Sequence, residues 1–256
     1  MTSDRRAAHA AVPTSRTRIP ARVRNAALAL LVGGLSACAR GGRAPSTVSP
    51  SPATMATATG VPASGCPAYT AGTLVDIRSV DPTIRVDVRY ATANNFTGAP
   101  LPGYETARAL LRPNAAQALA RVQQRLRAEG LGLKVFDAYR PVRATLAMVD
   151  WAERTGRTWV LDQGYVARKS GHNLGVTVDL TLVRLRGGGE LDMGTPFDTF
   201  SEAAHPANAT GQVLANRMKL AAAMAGEGWQ PYDAEWWHFR LPGDFEALDV
   251  PIGCVR

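Results

Sequence analysis

Ser170-Gly171-His172-Asn173-Leu174-Gly175-Val176-Thr177-Val178-Asp179 is the stretch on which the reading of this chain turns. It sets an imidazole and a carboxylate seven residues apart, with a glycine between them. From Val176 to Leu182 the residues alternate and are β-branched or apolar, which predicts a strand. Gly175 lets the backbone turn into that strand and leaves His172 outside it. His172 and Asp179 then meet at one point, as ligands of a single metal. Taken alone, the pair suits equally well a surface histidine in a loop and an aspartate at a strand edge.

A second stretch, Glu235-Trp236-Trp237-His238-Phe239, packs a carboxylate and an imidazole among three aromatics. Side chains in a regular strand alternate with a period of two, so Glu235 and His238 would point to opposite faces. Either the segment bends at its start or the two groups have different tasks. A zinc hydrolase requires different tasks: three protein ligands, an open position, and a nearby carboxylate that is not a ligand but takes a proton from water. His172, Asp179 and His238 are the candidate ligands of one Zn2+ per chain, and Glu235 is the candidate base. A packed aromatic strand with a satisfied histidine would explain the second stretch alone, but it leaves the two motifs and their order unexplained. There is no His-Glu-x-x-His helix in the chain.

Composition narrows the partners. The formal charge of +8 on 256 residues suggests nucleic acid, but its distribution does not. Residues 1–37 carry six arginines and Asp4, a net of +5, so subtraction from +8 leaves +3 for the rest. That remainder has no Lys/Arg run and no basic-aromatic stripe, so no nucleic-acid partner is expected. The arginines precede an apolar run, Ala26 to Val32, too short for a permanent membrane span. It leads to Leu35-Ser36-Ala37-Cys38, which resembles a bacterial lipoprotein signal in which Cys38 is acylated. The alternative is an ordinary signal peptide cleaved near Ala37. The expectation is therefore a leader over 1–37 and an extracytoplasmic protein, lipid-anchored to a bacterial membrane. Residues 38–65, rich in Ala, Gly, Pro, Ser and Thr, then form a flexible tether, and the folded domain spans 66–256. With Cys38 lipidated, Cys66 and Cys254 remain, and an even pair in an exported chain suggests a disulfide.

Within the domain, short strands are expected at Leu74–Arg78 and Ile84–Tyr90, the second from its alternation. A helix is predicted over Pro113–Glu129, with Pro113 in its first turn and Gly130 at its stop. Leu133–Phe136 reads as a strand, a second helix runs from Pro141 to Gly156, and 157–171 is irregular. The strand over Val176–Leu185 meets a glycine turn at Gly187-Gly188-Gly189 and returns through Glu190 to Met193. A third helix spans Gly211–Gly226, and Trp229 with Glu235–Arg240 completes the sheet. Helices and hairpins are segregated, so the fold class is α+β: a mainly antiparallel central sheet with flanking helices in a single catalytic domain.

From about Val80 to Leu241 the chain resembles the zinc-dependent D-alanyl-D-alanine dipeptidases of the VanX type. The resemblance rests on the two stretches above together with Asp81-Pro82-Thr83, Tyr90-Ala91-Thr92, Asn95-Phe96-Thr97-Gly98 and Pro102-Gly103-Tyr104-Glu105. Asp137-Ala138-Tyr139-Arg140-Pro141 and Met193-Gly194-Thr195-Pro196-Phe197-Asp198 add to it. The wider clan, which includes D,D-carboxypeptidases, shares only the His-to-Asp and Trp-His parts. Amide hydrolysis also needs a group for the developing oxyanion. Arg140 is the candidate, since a guanidinium is always charged and offers several donors, and the resemblance implies the same role. Asp137, three residues earlier, is expected to hold it. The substrate implied is a small D,D-dipeptide, a zwitterion read at both ends. The resemblance implies Asp198 for the ammonium, and Ser170, Tyr90 and Tyr104 for the substrate ends; Asp198 could instead cap the turn at Pro196-Phe197. His205 is not expected to be a ligand. Two other readings stay open: a D,D-carboxypeptidase acting on peptidoglycan stem peptides, and a non-catalytic, zinc-stabilised wall-binding lipoprotein.

Overall fold

The computed structural model describes residues 65–256. The expected leader, Cys38 and the tether up to residue 64 lie outside the described residues. The elements run in the order β1 (Val75–Asp76), α1 (Ile77–Val80), β2 (Arg85–Val86), β3 (Leu110–Leu111), α2 (Pro113–Ala128), β4 (Leu131–Asp137), α3 (Val142–Arg154), α4 (Trp159–Asp162), β5 (Thr177–Arg184), α5 (Gly211–Ala225), β6 (Gln230–Tyr232) and β7 (Glu235–Arg240). The main sheet has the order β2-β4-β5-β7-β6. β2 runs parallel to β4, and the other three pairings are antiparallel. β1 and β3 form a separate antiparallel pair. The α+β class with a mainly antiparallel sheet is what the segregation of helices and hairpins predicts.

The helices form where their residues allow. Pro113 opens α2, where its missing N–H costs nothing, and Leu119, Val122 and Leu126 share its buried face. Gln123 lies on that face too, but both ends of its amide are used: Oε1 accepts from Leu133 N at 2.8 Å and Nε2 donates to Thr83 Oγ1 at 3.1 Å. Helix α2 packs on β4 and against α5. Strand β5 lies at the centre of the sheet and is buried along its length up to Arg184. Its Val178, Leu180 and Leu182 enter the core, while Thr177, Asp179 and Thr181 project from the other face.

Several local expectations change. Leu74–Arg78 is a strand for two residues only, because Asp76 Oδ1 accepts from Arg78 N at 3.0 Å and starts a helical turn. The predicted strand over Ile84–Tyr90 stops at Val86. The last ladder bond is Asp87 N to Val135 O at 2.9 Å, and Arg89–Ala91 is a 3₁₀ turn. Ile84, Val88 and Tyr90 are buried as the alternation requires, but burial does not oblige them to pair. Trp159–Asp162 forms a helical turn inside the segment read as irregular. After β5 the chain returns with an isolated bridge, Val183 to Glu190, rather than a strand.

A disulfide joins Cys66 to Cys254, 188 residues apart, tying the start of the described chain to its end. In the chain-entropy model such a loop stabilises the fold by about 5 kcal/mol, an upper figure because strain and residual structure reduce it. Reduction should therefore lower the denaturant midpoint clearly. A midpoint unchanged by reductant would mean that the bond contributes nothing.

Candidate metal centre and active site

Two irregularities in the sheet bring the charged groups together. In the β4–β5 ladder Val135 pairs with Leu180 and Asp137 with Asp179, so Phe136 is an extra residue, a bulge. The bulge moves Asp137 from the Val135 face to the face of Asp179. In the β6–β7 ladder Pro231 pairs with Phe239 but Tyr232 pairs with Glu235, which leaves Trp236, Trp237 and His238 as excess length on β7. His238 stays in register with Asp179 on β5. Glu235 is swung to the same side, and its Oε2 lies 3.7 Å from His238 Nδ1. A regular strand would have parted the two.

His172 sits on the 3₁₀ turn Gly171–Leu174 just before β5. Ser170 Oγ accepts from His172 N at 3.2 Å, and Asn173 Oδ1 accepts from Ser170 N at 3.2 Å, a capping box that closes the N-terminal end of the turn. Gly175 ends the turn with φ +71°, and a Cβ there would meet Leu74 Cδ2 at 2.8 Å, so a larger residue would be strained. His172 Nδ1 lies 2.6 Å from the carbonyl oxygen of Ala138. A carbonyl only accepts, so the proton belongs on Nδ1 and the Nε2 lone pair faces inward. That Nε2 is 3.3 Å from Asp179 Oδ2 and 3.3 Å from His238 Nδ1, and His238 Nδ1 is 3.0 Å from Asp179 Oδ1. His172, Asp179 and His238 thus offer three ligand atoms within 4.8 Å of one another.

Arg140, 8% exposed, is fixed from several sides. Its Nε and Nη2 donate to Asp137 Oδ2 at 3.0 and 2.8 Å, Nη1 donates to Met148 Sδ, and its Cζ lies 4.9 Å above the Tyr90 ring. Tyr90 Oη donates to Asp198, 3.0 Å from Oδ1. Asp198 adopts φ +61°, a left-handed conformation that aspartate tolerates better than most residues. Tyr90, Arg140, Met148 and Asp198 line a cleft of about 240 Å³ with Ser170, His172, Asp179, Glu235 and His238. That volume lies below the roughly 300–1,000 Å³ of drug-sized ligand pockets, so its occupant is small. Tyr104 is the exception among the candidates. It is 4% exposed, and its hydroxyl donates to Asp137 Oδ1 at 2.6 Å, behind the cleft. The structure thus moves Tyr104 from the substrate ends to the support of Asp137, because the Gly103–Tyr104 turn packs under Pro141.

The electrostatics show a site short of positive charge. Burial opposes ionisation of Asp179, but His172 and His238 hold its carboxyl well below the ordinary range. Burial, then Asp179, pushes the Asp198 carboxyl up to about 8. Burial, then Asp179 and Asp198, raises Glu235 well above its usual value. Burial lowers the pKa of His238. Against Asp137, Asp179, Asp198 and Glu235 stands the guanidinium of Arg140. Two imidazole nitrogens and a carboxylate converge among these groups, a donor set that suits a divalent metal.

Other residues at the site carried no readable signal. Asn173 Nδ2 donates to Arg140 O at 2.8 Å and to Thr145 Oγ1 at 2.9 Å, joining the His172 turn to α3. Met148, Tyr165 and Tyr232 also line the cleft, brought there by elements remote in sequence. His205 is not among the grouped ligands; its Nε2 meets Tyr165 Oη at 3.1 Å.

The family model described as D-ala-D-ala dipeptidase matches residues 70–255, which include every group named above. The chain belongs to this family, peptidase M15. A D-alanyl-D-alanine dipeptidase of Enterococcus faecium is 37% identical over 188 residues, covering 66% of this chain and 93% of that protein. One from Escherichia coli is 37% identical over 181 residues, covering 70% of this chain and 88% of that protein. A solved LdcB LD-carboxypeptidase is similar at a TM-score of 0.40 and 18% identity, covering 68% of this chain and 70% of that one, too slight a likeness to bear on substrate. As a member of the dipeptidase family the chain is a metallopeptidase, and His172, Asp179 and His238 are a cluster that could hold its metal ion.

Proposed function

We propose that this chain hydrolyses the free dipeptide D-Ala-D-Ala, with one Zn2+ held by His172 Nε2, a carboxylate oxygen of Asp179 and His238 Nδ1. The observation that carries the reading is the convergence of these three atoms beside Glu235, a further carboxylate, in a small cleft. The names of the relatives in the family support the substrate. Bound zinc would supply Lewis acidity and lower the pKa of a water beside it to about 7. Glu235 is the general base of this reading: it takes a proton from the attacking water and returns it to the leaving amine. Its burial among carboxylates raises its affinity for that proton, which supports the role. Arg140 braces the developing oxyanion. Three of its five N–H groups are spent on Asp137 and Met148, which leaves two for the substrate carbonyl oxygen.

Asp198 pairs with the substrate ammonium. Its raised pKa reflects a buried carboxyl with no cation of its own, and an ammonium would supply one. An N-acylated substrate would leave that carboxyl without a cation, a loss of about 1–3 kcal/mol or more. Acetyl-D-Ala-D-Ala should thus be hydrolysed at least roughly tenfold more slowly than the free dipeptide. Equal rates on the two, or a preference for a pentapeptide ending in D-Ala-D-Ala, would assign the chain to carboxypeptidase action instead.

We further propose, from the N-terminal sequence, that this is an extracytoplasmic lipoprotein anchored through acyl groups on Cys38. The apolar run ending in Leu35-Ser36-Ala37-Cys38 supports it, and so does a disulfide, a bond rare outside oxidising compartments. Mass spectrometry of the mature N-terminus should find a lipid-modified Cys38 as its first residue. An unmodified Cys38, or another first residue, rules the anchor out.

A further inference from the structure

The reading above leaves one end of the dipeptide without a partner. Arg140 is assigned to the scissile carbonyl and Asp198 to the ammonium, so the free carboxylate must be met by uncharged donors. Four hydroxyl-bearing side chains line the cleft: Tyr90, Tyr165, Ser170 and Tyr232. Tyr90 spends its proton on Asp198. Tyr232 spends its own on the carbonyl oxygen of Gly164, at 3.3 Å. Ser170 Oγ accepts from His172 N, so its own proton is free to be donated. Tyr165 Oη lies 3.1 Å from His205 Nε2, and when that nitrogen carries the proton the phenol accepts it and keeps its own O–H free.

We propose that Tyr165, held by His205, is a specificity-determining residue that donates its phenolic hydrogen to the free carboxylate of the dipeptide, beside Ser170. This rests on the dipeptidase reading and names the recognition of its C-terminal end. The ring is fixed well enough for the task. It stacks on Phe200 at 5.7 Å and 28° and meets the edge of Trp159 at 6.2 Å. His205 is fixed in turn: Arg217, a buried side chain of α5, donates to its carbonyl oxygen at 2.8 Å and to those of Met193 and Ala203. Burial, then Glu202 and Glu235, raises the Tyr165 pKa, so the phenol stays protonated at neutral pH and remains a donor. Tyr165 and Ser170 both line the cleft, one hydroxyl for each oxygen of a carboxylate.

The test compares D-Ala-D-Ala with D-Ala-D-alaninamide, in which a neutral amide replaces the carboxylate, on the zinc-loaded enzyme. Hydrogen bonds to charged groups are stronger than neutral ones by about 1–1.5 kcal/mol, a factor of roughly ten. Tyr165→Phe keeps the ring and its stacking. It should raise KM for the acid roughly tenfold more than KM for the amide, with kcat on the acid changed much less than KM. His205→Ala should reproduce part of that rise, and His205→Gln, which restores an N–H donor, should reverse it. Equal factors on acid and amide, an unchanged KM for the acid, or a fall in kcat alone would overturn the proposal while the dipeptidase reading stands. A wild-type enzyme that cleaves neither compound would overturn both.

Discussion

Glu235→Ala is expected to retain about one zinc per chain and to lose roughly 100- to 10,000-fold in kcat, the range that general-base steps contribute. The separation of the two effects is the point. Glu235 Oε2 approaches His238 Nδ1 to 3.7 Å but is not one of the three clustered ligand groups. Its removal takes a proton acceptor from the cleft and leaves His172, Asp179 and His238 in place. It also removes one of four carboxyls crowded around one guanidinium, so the fold has no reason to weaken. Metal content by elemental analysis and kcat on D-Ala-D-Ala would be read on the same preparation. Loss of zinc in step with activity would make Glu235 a ligand, and a near-normal kcat would place the base elsewhere.

His172→Ala is expected to do the reverse, removing the metal and the activity with it. Changes that only disturb the partners of a ligand cost roughly 10- to 100-fold in metal affinity, and loss of one of three protein ligands costs more. His172 is 1% exposed and lies between the carbonyl oxygen of Ala138 and the inner cluster, so its removal takes a ligand from the centre of the site. The truncation also leaves a small cavity, so a loss of fold must be excluded. Asp179→Asn is the companion variant: it keeps the volume and should also lower bound zinc. Full zinc occupancy in the His172→Ala protein would sink the ligand assignment.

The chemistry of the site was legible in the chain because it depends on residue type. An imidazole and a carboxylate around a glycine turn, and a Glu-Trp-Trp-His stretch farther on, carry their metal-binding and proton-accepting atoms wherever they are put. The helices were legible for a related reason. The stop at Gly130, the start at Pro113 and the apolar face of Leu119, Val122 and Leu126 are local features, settled within a few turns of chain.

Tertiary pairing decided what local features cannot. The alternation of Ile84, Val88 and Tyr90 fixed their burial, but not whether they would hydrogen-bond in a ladder; they leave it after Asp87, and Tyr90 comes to lie under Arg140. Tyr104 carried the right motif for a substrate contact, yet its neighbours turn it toward Asp137. Sequence alone determined that two histidines and an aspartate in these surroundings could hold a metal with a glutamate nearby. That Glu235 and His238 share a side, and that Asp137 shares one with Asp179, was decided by the register of β7 against β6 and the bulge at Phe136. A period of two assigns faces only while pairing is regular, and a single unpaired residue reverses every face beyond it.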